Sequence, residues 1–107
     1  MKKKIDIKFQ GKGTRPSLTI RDSSGKNSEV DLVSGSASFE AEVDEKHYLF
    51  WLVIGSADDD YEISLAISDD SFEVNANRNP IKKSVPNGNA GYGRERFVVC
   101  KKQREQA

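Results

Sequence analysis

Two side chains that could support nucleophilic catalysis occur once each: His47 is the only histidine and Cys100 the only cysteine. A cysteine nucleophile needs a neighbouring base such as histidine to activate its thiol. The strand pattern described below predicts that both residues lie near the same end of the molecule. Structural roles explain both residues more simply, the histidine at the end of a strand and the cysteine as a small apolar side chain. Acidic residues are too numerous to single out the carboxylate pair of a glycosidase. We therefore predict that the protein is not an enzyme.

Acidic residues cluster in three turns, and clustered carboxylate oxygens are the ligands that Ca²⁺ prefers. Residues 58–60 and 69–70 lie at opposite ends of one predicted strand, roughly 26 Å apart, so they cannot share an ion. The better set is predicted at one end of the fold: Asp44, Glu45, Asp69 and Asp70. The turns lack the ligand spacing of an EF-hand, and aspartate is a common turn residue. The sequence predicts no cofactor, with calcium at these four residues as the alternative.

A glycine-rich segment, Gly88–Gly93, precedes the last predicted strand. It neither follows a strand nor opens a helix, so it differs from phosphate-binding loops and is typical of a flexible loop. Tyr92, between two glycines, is predicted to face solvent, where its ring could contact a sugar or a base. Polar residues predicted at the same end complete a candidate ligand site: Tyr92, Arg94, Asp58, Asp59, Asn87 and Asn89.

Basic residues near Tyr92 indicate a second ligand class. Proteins that bind single-stranded nucleic acids contact phosphates with cations and stack aromatic rings on bases. The cations here are Arg94, Arg96, Lys82 and Lys83. An isoelectric point near 6.6 and the lack of an RNA-binding signature count against this function. Single-stranded nucleic-acid binding through the basic C-terminal third is therefore the alternative.

Charge is divided into three blocks, although the net charge is zero. Residues 1–26 carry a balance of +6, residues 27–77 a balance of −12 and residues 78–107 a balance of +6. Opposite blocks can attract each other across neighbouring strands, which is the simpler interpretation. The sharper interpretation is a homo-oligomer in which copies dock head to tail and separate as salt is added.

Alternation of apolar and polar residues recurs along the chain, whereas helical periodicity is absent. The predicted strands are residues 4–9, 17–21, 29–33, 37–43, 47–55, 61–67, 72–74 and from about 94. Eight short strands joined mostly by tight turns predict an all-β fold, an antiparallel β-sandwich or jelly roll. Residues 48–54 are apolar without a break, so both faces of that strand are predicted to be covered at the centre of a sheet. Residues 75–93 are predicted to form a long loop.

If successive strands run antiparallel, their connections alternate between the two ends of the sandwich. One end then collects the first loop, the turns at 34–36 and 58–60, and the long loop. The other end collects the turns at Asp22, Asp44 and Asp69, together with both termini. The end with the long loop is the predicted binding end, because rigid scaffolds commonly present ligand residues on irregular loops.

The 107 residues fit one domain, residues 1–107, with a modest core. A single cysteine excludes an internal disulfide and favours a reducing compartment. The start of the sequence alternates apolar and charged residues and does not resemble a signal peptide, and the apolar run Tyr48–Ile54 is too short to span a bilayer. We predict a cytoplasmic location without a membrane partner, or an extracellular one if a signal peptide precedes this sequence.

Three segments, residues 37–43, 48–55 and 61–65, resemble the later strands of bacterial pre-peptidase C-terminal domains. In that family an alternating strand precedes an aromatic-rich strand that ends in glycine, and a Tyr-x-Leu-type strand follows. Residues Leu18–Gly25 are similar to an earlier strand and turn of the family. The resemblance implies a jelly roll with a non-catalytic role. The sequence as a whole thus predicts a non-catalytic domain that recognises a partner protein or a carbohydrate through loops at one end.

Overall fold

The computed structural model describes residues 1–102, and β-strands account for most of them. The strands are β1 (Lys2–Gln10), β2 (Arg15–Arg21), β3 (Asn27–Val30), β4 (Ser36–Glu42), β5 (Lys46–Ile54), β6 (Asp60–Ile67), β7 (Phe72–Ala76), β8 (Ile81–Ser84) and β9 (Ala90–Lys101). The described residues include no helix that is long and apolar enough to cross a membrane.

The strands form two antiparallel sheets that pack face to face. The four-stranded sheet has the order β4-β1-β6-β8, and the five-stranded sheet has the order β3-β2-β5-β9-β7. Every paired neighbour within a sheet is antiparallel. The predicted β-sandwich is confirmed.

One hydrophobic core fills the space between the sheets. Alternate residues of each strand point into it, as a period of two requires, and the buried aromatic side chains are Phe9, Trp51, Tyr61, Phe72 and Phe97. Trp51 Nε1 donates a hydrogen bond to the Tyr61 hydroxyl at 3.2 Å. Every buried polar side-chain atom among the described residues has a partner, which is what a stable interior requires.

The prediction for β5 is half right. β5 is the central strand of its sheet, but only one of its faces is covered. Leu49, Trp51 and Val53 are buried, whereas Leu52 is 40% exposed and Ile54 is 49% exposed. An unbroken apolar run therefore marks a strand with one face in the core and an apolar face left open to solvent.

The prediction of a long loop at residues 75–93 is wrong. This segment contains β8 and the start of β9, so the fold has nine strands among its described residues. The connection between β7 and β8 carries the chain from one sheet to the other, and the Asn79 side chain hydrogen-bonds both the N–H and the C=O of Leu65. The sequence of this segment shows no clear alternation of apolar and polar residues, because β8 buries only Ile81 and because the inward positions 91 and 93 of β9 are glycines.

The predicted grouping of the turns is confirmed by hydrogen bonds at both ends of the sandwich. At one end, Gly55 N–H donates to Asn89 C=O, and Asp58 N–H donates to Val85 C=O. At the other end, the Ser23 hydroxyl donates to Glu45. The parity of the strands predicts these turns correctly. It does not hold for β7 and β8, which run in the same direction. β7 is antiparallel to β9 and β8 is antiparallel to β6, and β6 and β9 both begin at the end where Gly55 bonds Asn89.

Candidate functional site

Five apolar side chains form a strip on the outer face of the five-stranded sheet. Four project from β5 and one from β9: Tyr48, Phe50, Leu52, Ile54 and Tyr92. Tyr92 is 81% exposed, and it lies directly across from Leu52 in the strand register. We call these five residues the apolar strip, and we call the outer face of β2, β5 and β9 the open face. An apolar strip of this kind on a protein surface commonly marks an interaction site.

Arginines flank the apolar strip on both neighbouring strands. On β9, Arg94 lies opposite Phe50 and Arg96 lies opposite Tyr48. On the β2 side, Arg21 lies opposite Tyr48, and its guanidinium carbon is 4.8 Å from the centre of the Phe50 ring. This distance is within the range of a cation–π contact. Aromatic rings and cations therefore alternate across three neighbouring strands.

Five cations and no carboxylate project from β2, β5 and β9 onto the open face. The cations are Arg15, Arg21, Lys46, Arg94 and Arg96, all exposed. Carboxylates border this side of the sheet on the edge strands, at Glu29 on β3 and Glu73 on β7. They also border it in two turns, where Asp22 and Glu45 line one groove with Arg21, Lys46 and Tyr48. The open face therefore favours a ligand that carries negative charge.

The outer face of the four-stranded sheet has the opposite character. Lys4 lies across from Glu40 in the register of β1 and β4, and Lys82 Nζ is 3.7 Å from Glu62 Oε1. The charge blocks of the sequence thus meet on neighbouring strands. This arrangement agrees with the simpler interpretation of the charge pattern, and the salt-sensitive homo-oligomer stays a prediction.

Two inward-facing glycines of β9 explain how the core supports the open face. A Cβ atom at Gly93 would lie 2.5 Å from Cζ2 of Trp51, and one at Gly91 would lie 3.1 Å from the Tyr61 hydroxyl. The Trp51 and Tyr61 rings therefore occupy the space that side chains at these positions would need. The glycines serve close packing in a strand and not the flexibility of a loop.

The six residues of the predicted ligand site lie on two adjoining parts of the surface, and the site stays a prediction. Tyr92 and Arg94 are exposed on the open face, so the predicted solvent exposure of Tyr92 is confirmed. The other four lie in turns at the adjoining end of the sandwich: Asp58, Asp59, Asn87 and Asn89. Three of these four have structural roles in the turns. Asp58 and Asn89 have φ values of 70° and 66°, which aspartate and asparagine tolerate better than most residues, and Asp59 accepts a hydrogen bond from Ser56 N–H at 2.9 Å.

The four residues proposed for calcium are not brought together. Among residues 1–102, no three His, Cys, Asp or Glu side chains lie close enough to hold a metal ion. Asp69 Oδ2 is 2.7 Å from Lys3 Nζ, and the hydrogen bond from Lys3 holds the pKa of Asp69 below its usual range. Glu45 accepts a hydrogen bond from Ser23 at 2.6 Å. These carboxylates act in turns and ion pairs.

His47 and Cys100 do not form a catalytic pair. His47 is buried in the core, where its Nε2 is 2.9 Å from the C=O of Glu42 and its ring stacks on Phe97. Cys100 projects to the other side of the sheet, opposite Glu73. Burial and the Glu73 carboxylate raise the pKa of the Cys100 thiol, which disfavours the nucleophilic thiolate.

A cleft of about 690 Å³ lies beside β2, β3 and the turn after β3. Its titratable side chains are Glu29 and Asp31, and its lining includes no histidine, cysteine, lysine or arginine. The side chains of this lining that could act as a base toward its Ser and Thr hydroxyls are therefore these two carboxylates.

Sequence reasoning missed most of the apolar strip. It treated Tyr48, Phe50, Leu52 and Ile54 as buried, because a continuous apolar run does not show which face is covered. A signal was present in the neighbouring strands. The positions paired with these residues on β2 are Arg21, Thr19, Ser17 and Arg15, and a second apolar layer would not cover such polar residues.

No protein-family model, no curated protein and no solved structure matches this chain. The resemblance to pre-peptidase C-terminal domains therefore stays a prediction.

Proposed function

We propose that this protein is a non-catalytic binding domain whose ligand lies on the open face. The observation that supports this proposal most is the exposure of the apolar strip beside five cations. Exposing Leu52, Ile54 and Tyr92 to water is unfavourable in the free protein. A ligand that covers them gains free energy from the removal of apolar surface. The binding surface is thus the sheet itself, and the loops at its end form a border.

The ligand should combine negative charge with flat or apolar groups. Five cations on three strands favour an anion, whereas the exposed ring of Tyr92 and the side chain of Leu52 favour apolar contact. A partner protein with acidic and aromatic residues has both properties, and arginine and tyrosine are enriched in protein interfaces. A single-stranded nucleic acid, with its phosphates and flat bases, has both properties as well. A neutral carbohydrate would stack on Tyr92 but would leave the cations without a role.

A direct test uses a random copolymer of glutamate and tyrosine as the probe. Its binding to the isotope-labelled protein is followed by amide chemical shifts. We expect shifts in β2, β5 and β9, and weaker binding in the variant Tyr92→Ala. A glycan array with the same two proteins tests the carbohydrate class.

Two pairs of cations provide a matched control. The double variant Arg94→Ala/Arg96→Ala removes two charges from the open face, and Lys4→Ala/Lys8→Ala removes two from the outer face of the four-stranded sheet. Only the first variant should weaken binding to the copolymer. Equal losses in both, or shifts spread over both sheets, would show that the open face is not the binding surface.

A further inference from the structure

We infer that the ligand of the open face is a single-stranded nucleic acid; this inference rests on the proposed function. The supporting feature is the repetition of aromatic–cation pairs. Tyr48 lies opposite Arg96, and Phe50, the next outward residue of β5, lies opposite Arg94. A polynucleotide repeats a flat base and a phosphate in the same manner. An acidic protein segment has no such obligatory repeat.

The spacing of the rings suits an extended strand. The centres of the Tyr48 and Phe50 rings are 6.4 Å apart, which is nearly twice the rise of about 3.4 Å per nucleotide in a B-DNA strand. Successive bases therefore reach successive rings only when they are pulled out of their own stack. Bases in a duplex remain stacked on one another, so the open face selects single strands. Tyr92 provides a third, more exposed ring beside Leu52.

Arginines are placed to contact phosphates on both sides of the rings. Arg94 and Arg96 project from alternate positions of β9, and Arg21 projects from β2 next to Tyr48. Guanidinium groups bind phosphate oxygens in a bidentate manner. The guanidinium of Arg21, which lies over the Phe50 ring, also offers a flat surface on which a base can stack. No carboxylate on β2, β5 or β9 opposes the phosphates on this face.

Fluorescence anisotropy with labelled dT and rU oligonucleotides of about 12 nucleotides, from about 50 to 200 mM salt, tests the inference. We expect Tyr92→Ala to weaken binding by roughly 5- to 150-fold, the range for loss of one stacked base. The slope of log K against log salt is negative, and the double variant Arg94→Ala/Arg96→Ala should make it less negative by about 1.4. Each phosphate contact on a single strand contributes about 0.7 to its magnitude. The variant Lys4→Ala/Lys8→Ala should bind like the wild type, and a duplex of the same length should compete poorly.

Four results would overturn the inference. Equal losses in the two double variants would mean that binding follows overall charge, and equal affinity for a duplex would mean that the rings do not stack on bases. If the wild type binds the glutamate–tyrosine copolymer on the open face but binds neither oligonucleotide, the ligand is a protein, and only this inference fails. If the wild type binds neither kind of probe, the proposed function fails as well.

Discussion

Gly93→Ala tests how the core supports the open face. In a strand this change normally stabilises a protein by about 0.4–1 kcal/mol, because alanine restricts the unfolded chain. Here the new methyl group would lie 2.5 Å from Cζ2 and 2.9 Å from Cε2 of Trp51. The indole cannot move aside freely, since Trp51 is 3% exposed and its Nε1 donates a hydrogen bond to the Tyr61 hydroxyl. Overpacking of this kind costs about 1–3 kcal/mol, so we expect a net loss of about 1–2 kcal/mol.

Urea unfolding measures this loss through the fluorescence of Trp51, the only tryptophan. A double-mutant cycle with Trp51→Phe tests whether the overlap with the indole causes this loss, with unfolding monitored by circular dichroism because the tryptophan is gone. A smaller ring relieves the overlap, so Gly93→Ala should cost at least about 1 kcal/mol less in that background. If Gly93→Ala leaves stability unchanged or raises it, or if its cost is the same in both backgrounds, the explanation of the glycine is wrong.

Four further predictions concern the fold and its charges. Trp51→Ala should destabilise the protein by about 3–5 kcal/mol, whereas Phe50→Ala, on the open face, should cost only about 1 kcal/mol in urea unfolding; equal costs would mean that both faces of β5 are covered. Arg78→Leu should lower the free energy of unfolding by about 3 kcal/mol. The change leaves the Glu95 carboxylate, which is 5% exposed, without the Arg78 Nε that lies 2.8 Å away. Adding Glu95→Gln should recover part of the lost stability, and no recovery would exclude this cause. Asp69 has a lowered pKa, so its contribution to stability is present at neutral pH and is lost as the pH falls below about 4. Asp69→Asn should therefore make the urea midpoint less sensitive to acid. An unchanged dependence of the midpoint on pH would contradict this prediction. If the charge blocks drive self-association, light scattering at low salt should give a mass above that of a monomer which falls as salt is added; a monomer at every salt concentration would exclude it.

The architecture could be predicted from the sequence wherever one strand face is apolar and the other polar. β1, β2, β4 and β6 follow this pattern, and their predicted positions agree with the structure to within a few residues. β8 could not be found in this way, because Ile81 is its only buried residue. The start of β9 was missed for a related reason. Glycine normally indicates a turn, and only the position of the Trp51 ring shows why glycine is needed at position 93.

The candidate site depends on pairing between distant segments, which local patterns do not contain. The exposure of Tyr92 was predicted from its glycine neighbours and from the long polar loop assigned to this segment. Its position across from Leu52, and the placement of Arg21 over Phe50, require the register of β2, β5 and β9. A register shift of one residue would turn these side chains into the core. Four of the six predicted ligand residues therefore lie beside the open face, in the turns at the predicted end of the sandwich, and not on it.

The composition of the open face is not explained by the stability of the fold. The inward positions of β5 and β9 already fill the core, with Trp51 packed beneath Gly93. Tyr92, at 81% exposed, adds little to folding, because exposed side chains away from special features usually change stability by less than about 0.5 kcal/mol. The outer face of the other sheet shows that this sandwich can be covered with paired charges and small polar residues. Aromatic rings beside arginines on one sheet therefore support the proposed binding function, and the effect of Tyr92→Ala on binding can be interpreted without interference from unfolding.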